Sequence, residues 1–178
     1  MNSTNDANYI KWLLNDLILD LSSAVSMGRE IIKSYNGDPQ NLIKTAGRLR
    51  VCNHSIVLSL FKLHEIRIKY GSFLNNISSE QTKDFFKIAA EIEHRNICKF
   101  RNKYAAHIFD RDTRQPISLE KGEELLKTIT GPDNSLALAF YNWICPEAWS
   151  TETPCVITVM DKLRSHCRGL PGGDLGRP

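Results

Sequence analysis

Arg101, Asn102 and His107 are the side chains whose types and spacing best suit chemistry on a phosphodiester. They sit in the run Arg-Asn-Lys-Tyr-Ala-Ala-His at 101–107, with Asp110 close behind. An arginine fork grips two phosphate oxygens through parallel charge-assisted hydrogen bonds and stabilises charge that builds up on them. A histidine, with an ordinary pKa of about 6.5, takes or gives a proton near neutral pH. Asn102 could orient the arginine or the scissile phosphate, and Lys103 adds a second positive charge. Together these groups suit cleavage of RNA with no metal and no cofactor. The ribose 2′-hydroxyl would attack the adjacent phosphorus, leaving a 2′,3′-cyclic phosphate and a 5′-hydroxyl. DNA lacks the attacking group and should stay whole.

The spacing constrains how such a site could close. Six residues along an α-helix advance about 9 Å and turn about 600°, which leaves Arg101 and His107 roughly 120° apart. One helix does not bring them into a tight pair. Two copies meeting across a two-fold axis would, because that symmetry joins the same patch from both chains. A homodimer with a composite cleft is therefore expected. The simpler explanation is that an arginine and a histidine at a helix end favour the last carbonyls and the helix dipole.

The stretch Phe100-Arg-Asn-Lys-Tyr-Ala-Ala-His107 resembles the signature of HEPN-domain proteins, in which Arg is followed by a small polar residue, several further residues and His. Lys103, Ala106 and Asp110 around it resemble bacterial members linked to abortive infection and toxin–antitoxin systems. The resemblance implies an all-helical bundle and, for many members, a dimeric metal-independent endoribonuclease. It implies that Arg101 and His107 form the catalytic pair and Asn102 assists them. Lys103, Arg95, Tyr104 and Asp110 are the candidates for contacting substrate. A toxin or phage-defence role follows from the same likeness, with an antitoxin or a nucleotidyltransferase as a possible partner. The reading from a different class is a non-catalytic helical module that binds a partner protein or a nucleotide in the same groove.

Other reactive groups are sparser. Glu91-Ile-Glu-His94 contains a Glu-x-x-His step, which holds a di-metal centre in some bundles, but such a centre needs a second step and the sequence has none. Glu93 and His94 could instead line the cleft, since His94 and Arg101 are seven apart; so are Arg95 and Asn102. His54 and His64 read as hydrogen-bonded helix residues. Cys98 lies near the motif with no base paired to it, so a structural thiol is expected. Trp143 and Trp149 read as packing groups rather than a base-stacking platform. No Gly-rich phosphate loop and no paired Cys/His zinc spacing is present.

The elements that must position these groups are helical. A chain of 178 residues fits one domain, and 24% charged with 42% hydrophobic residues is a globular balance. A net charge of +3 permits an RNA partner without demanding one. Five cysteines, none in a C-x-x-C pair, argue against a disulfide framework or structural zinc and for thiols in a reducing cytosol. The N-terminus carries no signal-like pattern, and the run from Trp12 to Leu21 is broken by Asn15, Asp16 and Asp20. A soluble cytoplasmic protein, not a membrane one, is expected.

Ile10, Leu13, Leu14, Leu17, Ile18, Leu21, Val25, Ile31 and Ile32 recur at helical spacing and stop at Asn36-Gly37-Asp38-Pro39. A second helix is expected from about 40 to 70, central in the bundle through Val51 to Leu63, with Gly71 as its stop. Ser78 and Gln81 suggest a capping box. The helical pattern behind them runs to Tyr104, with a possible break near His94 to Asn96. A polar loop from Asp110 to Pro116, a helix capped by Ser118, a turn at Gly131-Pro132-Asp133 and a helix stopped by Pro146 follow. Thr153 and Pro154 suggest the cap and first residue of a last helix. The expected fold is an all-α antiparallel bundle over residues 1–168, with additional C-terminal helices and a flexible tail over 169–178.

Overall fold

A computed structural model describes residues 3–105, 109 and 114–178, so His107 and Asp110 lie outside the described residues. The order is α1 (Ser3–Ser34), α2 (Pro39–Lys69), α3 (Gly71–Asn76), α4 (Ser79–His94), α5 (Ile97–Phe100), a π-helical turn (Arg101–Ala105), α6 (Leu119–Thr130), α7 (Asn134–Ile144) and α8 (Val156–Gly169). The fold is an all-α bundle. Among the described residues the sole β feature is one isolated bridge, Phe109 to Pro116. No described helix is long and apolar enough to cross a membrane.

The long hairpin of α1 and α2 is the frame. Its tight connection is built as the sequence suggests: Asp38 caps α2 by accepting from the Gln40 backbone N–H at 2.9 Å, and Pro39 takes the first helical position. Ile10, Leu14, Leu17 and Leu21 of α1 meet Ile56, Leu60 and Leu63 of α2 in a closed core. Phe85 and Ile92 of α4, Phe100 of α5, Tyr141 of α7 and Met160 and Leu163 of α8 complete it.

Several expectations are revised. The apolar stretch from Val51 to Leu63 is not buried all round: Val51 and Leu58 face outwards, as does the N-terminal part of α2 with Ile43. Gly71 ends α2 but opens the short α3 at once. Ser78 forms no capping box, because its side chain makes no cap hydrogen bond; only its carbonyl accepts, from Gln81 N at 2.9 Å. Ser118 does cap α6, accepting from Lys121 N at 3.2 Å. The last helix is capped at Cys155 rather than Thr153, whose hydroxyl instead meets Ser150.

The tail beyond α8 is held rather than free. Asn8 and Lys11 donate to the carbonyls of Gly176 and Leu175 at 3.1 and 2.9 Å, and Arg177 pairs with Asp16. The Gly- and Pro-rich composition rules out a helix, as read, but leaves backbone carbonyls that side chains of α1 can bind. The five cysteines are all free thiols, with Cys52, Cys155 and Cys167 buried.

Candidate functional site

The 101–107 motif begins where α4 has already broken. Asn96 adopts a left-handed conformation, φ 60°, which non-glycine residues tolerate best when they are Asn or Asp. The chain restarts as α5 for one turn and then widens into the π-helical turn Arg101–Ala105. Such widened turns concentrate at functional sites because they re-aim side chains within a helix. Ideal α-helical spacing therefore does not apply over Arg101–Ala105.

Arg101 and Asn102 are brought together. Arg101 donates through Nη1 to Asn102 Oδ1 at 3.0 Å, and its guanidinium carbon sits 4.5 Å from the centre of the Phe61 ring of α2. A guanidinium stacked on an aromatic face and held by an amide loses little freedom when it grips an anion. Asn102 is exposed, Lys103 is exposed, and Arg101 is half-buried.

Beside them runs an open groove of about 730 Å³ between α1, α2 and α5. Asn102, Cys98, Phe61 and His64 line it together with Leu13 and Asp16 of α1. His64 is the group that sequence reasoning assigned no function. Its Nε2 lies 2.5 Å from Glu93 Oε1, and its ring is 6.5 Å from that of Phe61, centre to centre. The hydrogen bond to His64 holds the Glu93 carboxyl below its ordinary range. A carboxylate on one imidazole nitrogen fixes the ring and leaves the other nitrogen for proton transfer. No local spacing could have flagged this pair, since 29 residues separate the two. Glu93 had been placed near the cleft on helical spacing from Arg101, and its actual link to the groove is through His64.

Cys98 is half-buried in the same groove, and burial followed by the Glu93 charge pushes its thiol up, which suits a structural rather than nucleophilic role. Two other candidates point elsewhere. Arg95 was matched to Asn102 on a seven-residue spacing, which puts the two on one face only in a continuous helix. Asn96 breaks that helix, and Arg95 instead pairs with Glu91 at 2.7 Å and lies 4.7 Å over Trp143 of α7. Tyr104 faces α2: its hydroxyl accepts from Arg50 at 2.7 Å and its ring meets His54 and Phe100. Gly122 of α6 lies so close that a side chain there would collide with the Tyr104 ring. Tyr104 is therefore a clamp between the π-helical turn, α2 and α6. Glu91 and Glu93, the acids of the Glu-x-x-His region, are taken by Arg95 and His64.

No family model and no curated protein matches the chain. Among solved structures, the integron cassette protein Vpc_cass2 from the mobile metagenome of V. paracholerae is similar in fold, with a TM-score of 0.79 at 24% identity. The likeness spans 95% of this chain and 98% of that one and shows the same all-α architecture.

Proposed function

We propose that this protein is a metal-independent endoribonuclease of the HEPN kind, acting as a homodimer in which Arg101 and His107 of both chains face one cleft. The observation that carries this reading is the Arg101–Asn102 unit, cradled on Phe61 at the mouth of an open groove. Internal attack by a 2′-hydroxyl needs one group to take a proton and another to give one. His107 is one such group. His64, oriented by Glu93 and lining the groove beside Asn102, is a second candidate for proton transfer. Arg101 neutralises charge on the phosphoryl oxygens as the transition state forms. A toxin or phage-defence role in the cytoplasm, restrained by an antitoxin or a nucleotidyltransferase, belongs to the same reading.

The aliphatic lining of the groove, Leu13, Leu17, Ile66 and Ile68, favours a second reading, a helical module that binds a partner without cutting. Purified protein incubated with a mixed RNA pool in EDTA separates the two. Cutting by wild type, with cyclic phosphate ends and none from a folded, dimeric His107→Ala variant, supports the nuclease. Equal background from both proteins rejects it in favour of the binding module.

A further inference from the structure

We infer that a second, separate pocket binds a phosphate group. It lies between α1, α8 and the C-terminal tail, has a volume of about 340 Å³, and is lined by Lys11, Trp12, Asn15, Arg164, Arg168 and Asp174 among others. It shares no lining residue with the groove of Asn102 and His64, and it stands whether or not the chain cuts RNA.

Two buried groups there lack what their chemistry requires. Lys11 is 8% exposed, yet its ammonium meets only the Leu175 carbonyl, at 2.9 Å, and the Trp12 ring, at 5.0 Å. No described carboxylate stands within ion-pair distance of it, although a buried charge is ordinarily paired. The Trp12 indole Nε1–H is shut off from solvent with no acceptor, which is uncommon for a buried donor. An anion entering this pocket supplies the missing counter-charge to Lys11, beside the Trp12 ring.

The remaining lining defines the class of anion. Of the three positive charges here, that of Arg168 is paired with Asp174 and that of Arg164 with Asp161, which leaves the Lys11 ammonium without a counter-charge. Arg164 is occupied, its terminal nitrogens donating to Asn15 and Asp161. Arg168 is engaged only through Nε, with Asp174 at 3.2 Å, so its two terminal nitrogens are open to a bidentate acceptor. Both partners of that ion pair are largely exposed, at 70% and 71%, so a ligand displaces Asp174 at little cost. An excess of positive charge with an open arginine fork suits a phosphate dianion better than a single carboxylate. The Trp12 ring is already faced by Lys11 and Arg177, at 5.0 and 5.8 Å, so the pocket recognises the phosphate and not a stacked base.

The test follows the indole N–H signals of ¹⁵N-labelled full-length protein, with Trp12→Phe to assign its peak. Inorganic phosphate is titrated at constant ionic strength against chloride. A 5′-phosphorylated dinucleotide and its 5′-hydroxyl twin form the second arm. The expected result is a saturable shift of the Trp12 peak with phosphate, weakened about tenfold or more in Arg168→Gln, an exposed site whose variant folds. Lys11→Gln should abolish it. A tighter response to the phosphorylated dinucleotide than to phosphate identifies a chain end as the source; an equal or weaker one identifies free phosphate. No shift beyond chloride, or an equal shift in Arg168→Gln, overturns the site.

Discussion

The Arg101 guanidinium rests on the Phe61 ring, 4.5 Å from its centre, with Asn102 holding one of its nitrogens at 3.0 Å. The ring fixes the plane of the fork, and the amide fixes its rotation. Arg101→Ala should lower RNA cleavage by about 10²–10³-fold, the scale of losing one oxyanion stabiliser, with little change in thermal stability. Arg101→Lys should recover only a small part, because an ammonium neither stacks on Phe61 nor binds two oxygens in parallel. Single-turnover rates for both variants check this, and full activity in Arg101→Ala would remove the residue from the mechanism.

The helical frame was legible because its signals are local. Asp38-Pro39, Ser118 and the apolar period of α1 each act within a few residues, and the structure uses all three. The Arg101–Asn102 contact was legible for the same reason. What stayed hidden depends on partners far along the chain. Arg95 was assigned to the cleft on a seven-residue spacing that holds only in one continuous helix; the break read as possible near His94 to Asn96 is present, and spacing cannot reveal that it hands Arg95 to Trp143. The tail looked free because composition does not show that its carbonyls would meet Asn8 and Lys11, more than 160 residues earlier. His64 was read as a hydrogen-bonded helix residue, which it is; its partner Glu93 stayed hidden because the two meet only in the folded bundle.

Gly28 gives a stability prediction with competing terms. An alanine inside α1 would ordinarily gain about 1 kcal/mol from helix propensity. Here its Cβ would stand 2.7 Å from the Tyr141 hydroxyl and 2.8 Å from its ring. Tyr141 is fully buried and donates to Asn53 at 2.7 Å, so it has no room to yield. Overpacking costs about 1–3 kcal/mol and disturbing the buried hydrogen bond about as much again, so the clash wins. Gly28→Ala should destabilise the fold by about 1–5 kcal/mol in urea denaturation. A variant as stable as wild type would mean that α1 and α7 are packed more loosely than this.

His54 sets a pH dependence. Burial, and then the nearby Arg50, push its imidazole below the ordinary 6.5. The unfolded chain therefore binds a proton at this site before the folded one does. Stability from His54 is full above about pH 6.5 and is lost as pH falls through the lower folded value. Glu93, held below 4.5 by His64, loses its contribution only in a more acid window, so the two effects separate. Denaturation midpoints between pH 7 and pH 5 should fall for wild type and stay flatter for His54→Phe, which keeps an aromatic ring against Phe100 and Tyr104. Parallel curves for the two proteins would assign the slope to other groups.

The His64–Glu93 pair separates a role in chemistry from one in packing. His64→Ala should lower cleavage by about 10²-fold or more if the ring moves a proton, since positioned acid–base groups contribute on that scale. Glu93 touches the groove only through His64, and its side chain is 54% exposed, so losing it should leave the fold intact. Glu93→Gln keeps a hydrogen-bond acceptor for Nε2 but removes the carboxylate charge beside the ring. Cleavage should then fall by less than in His64→Ala, while RNA binding by the Arg101 fork stays the same. A drop in cleavage matched by an equal loss of RNA binding would instead make the pair a strut between α2 and α4.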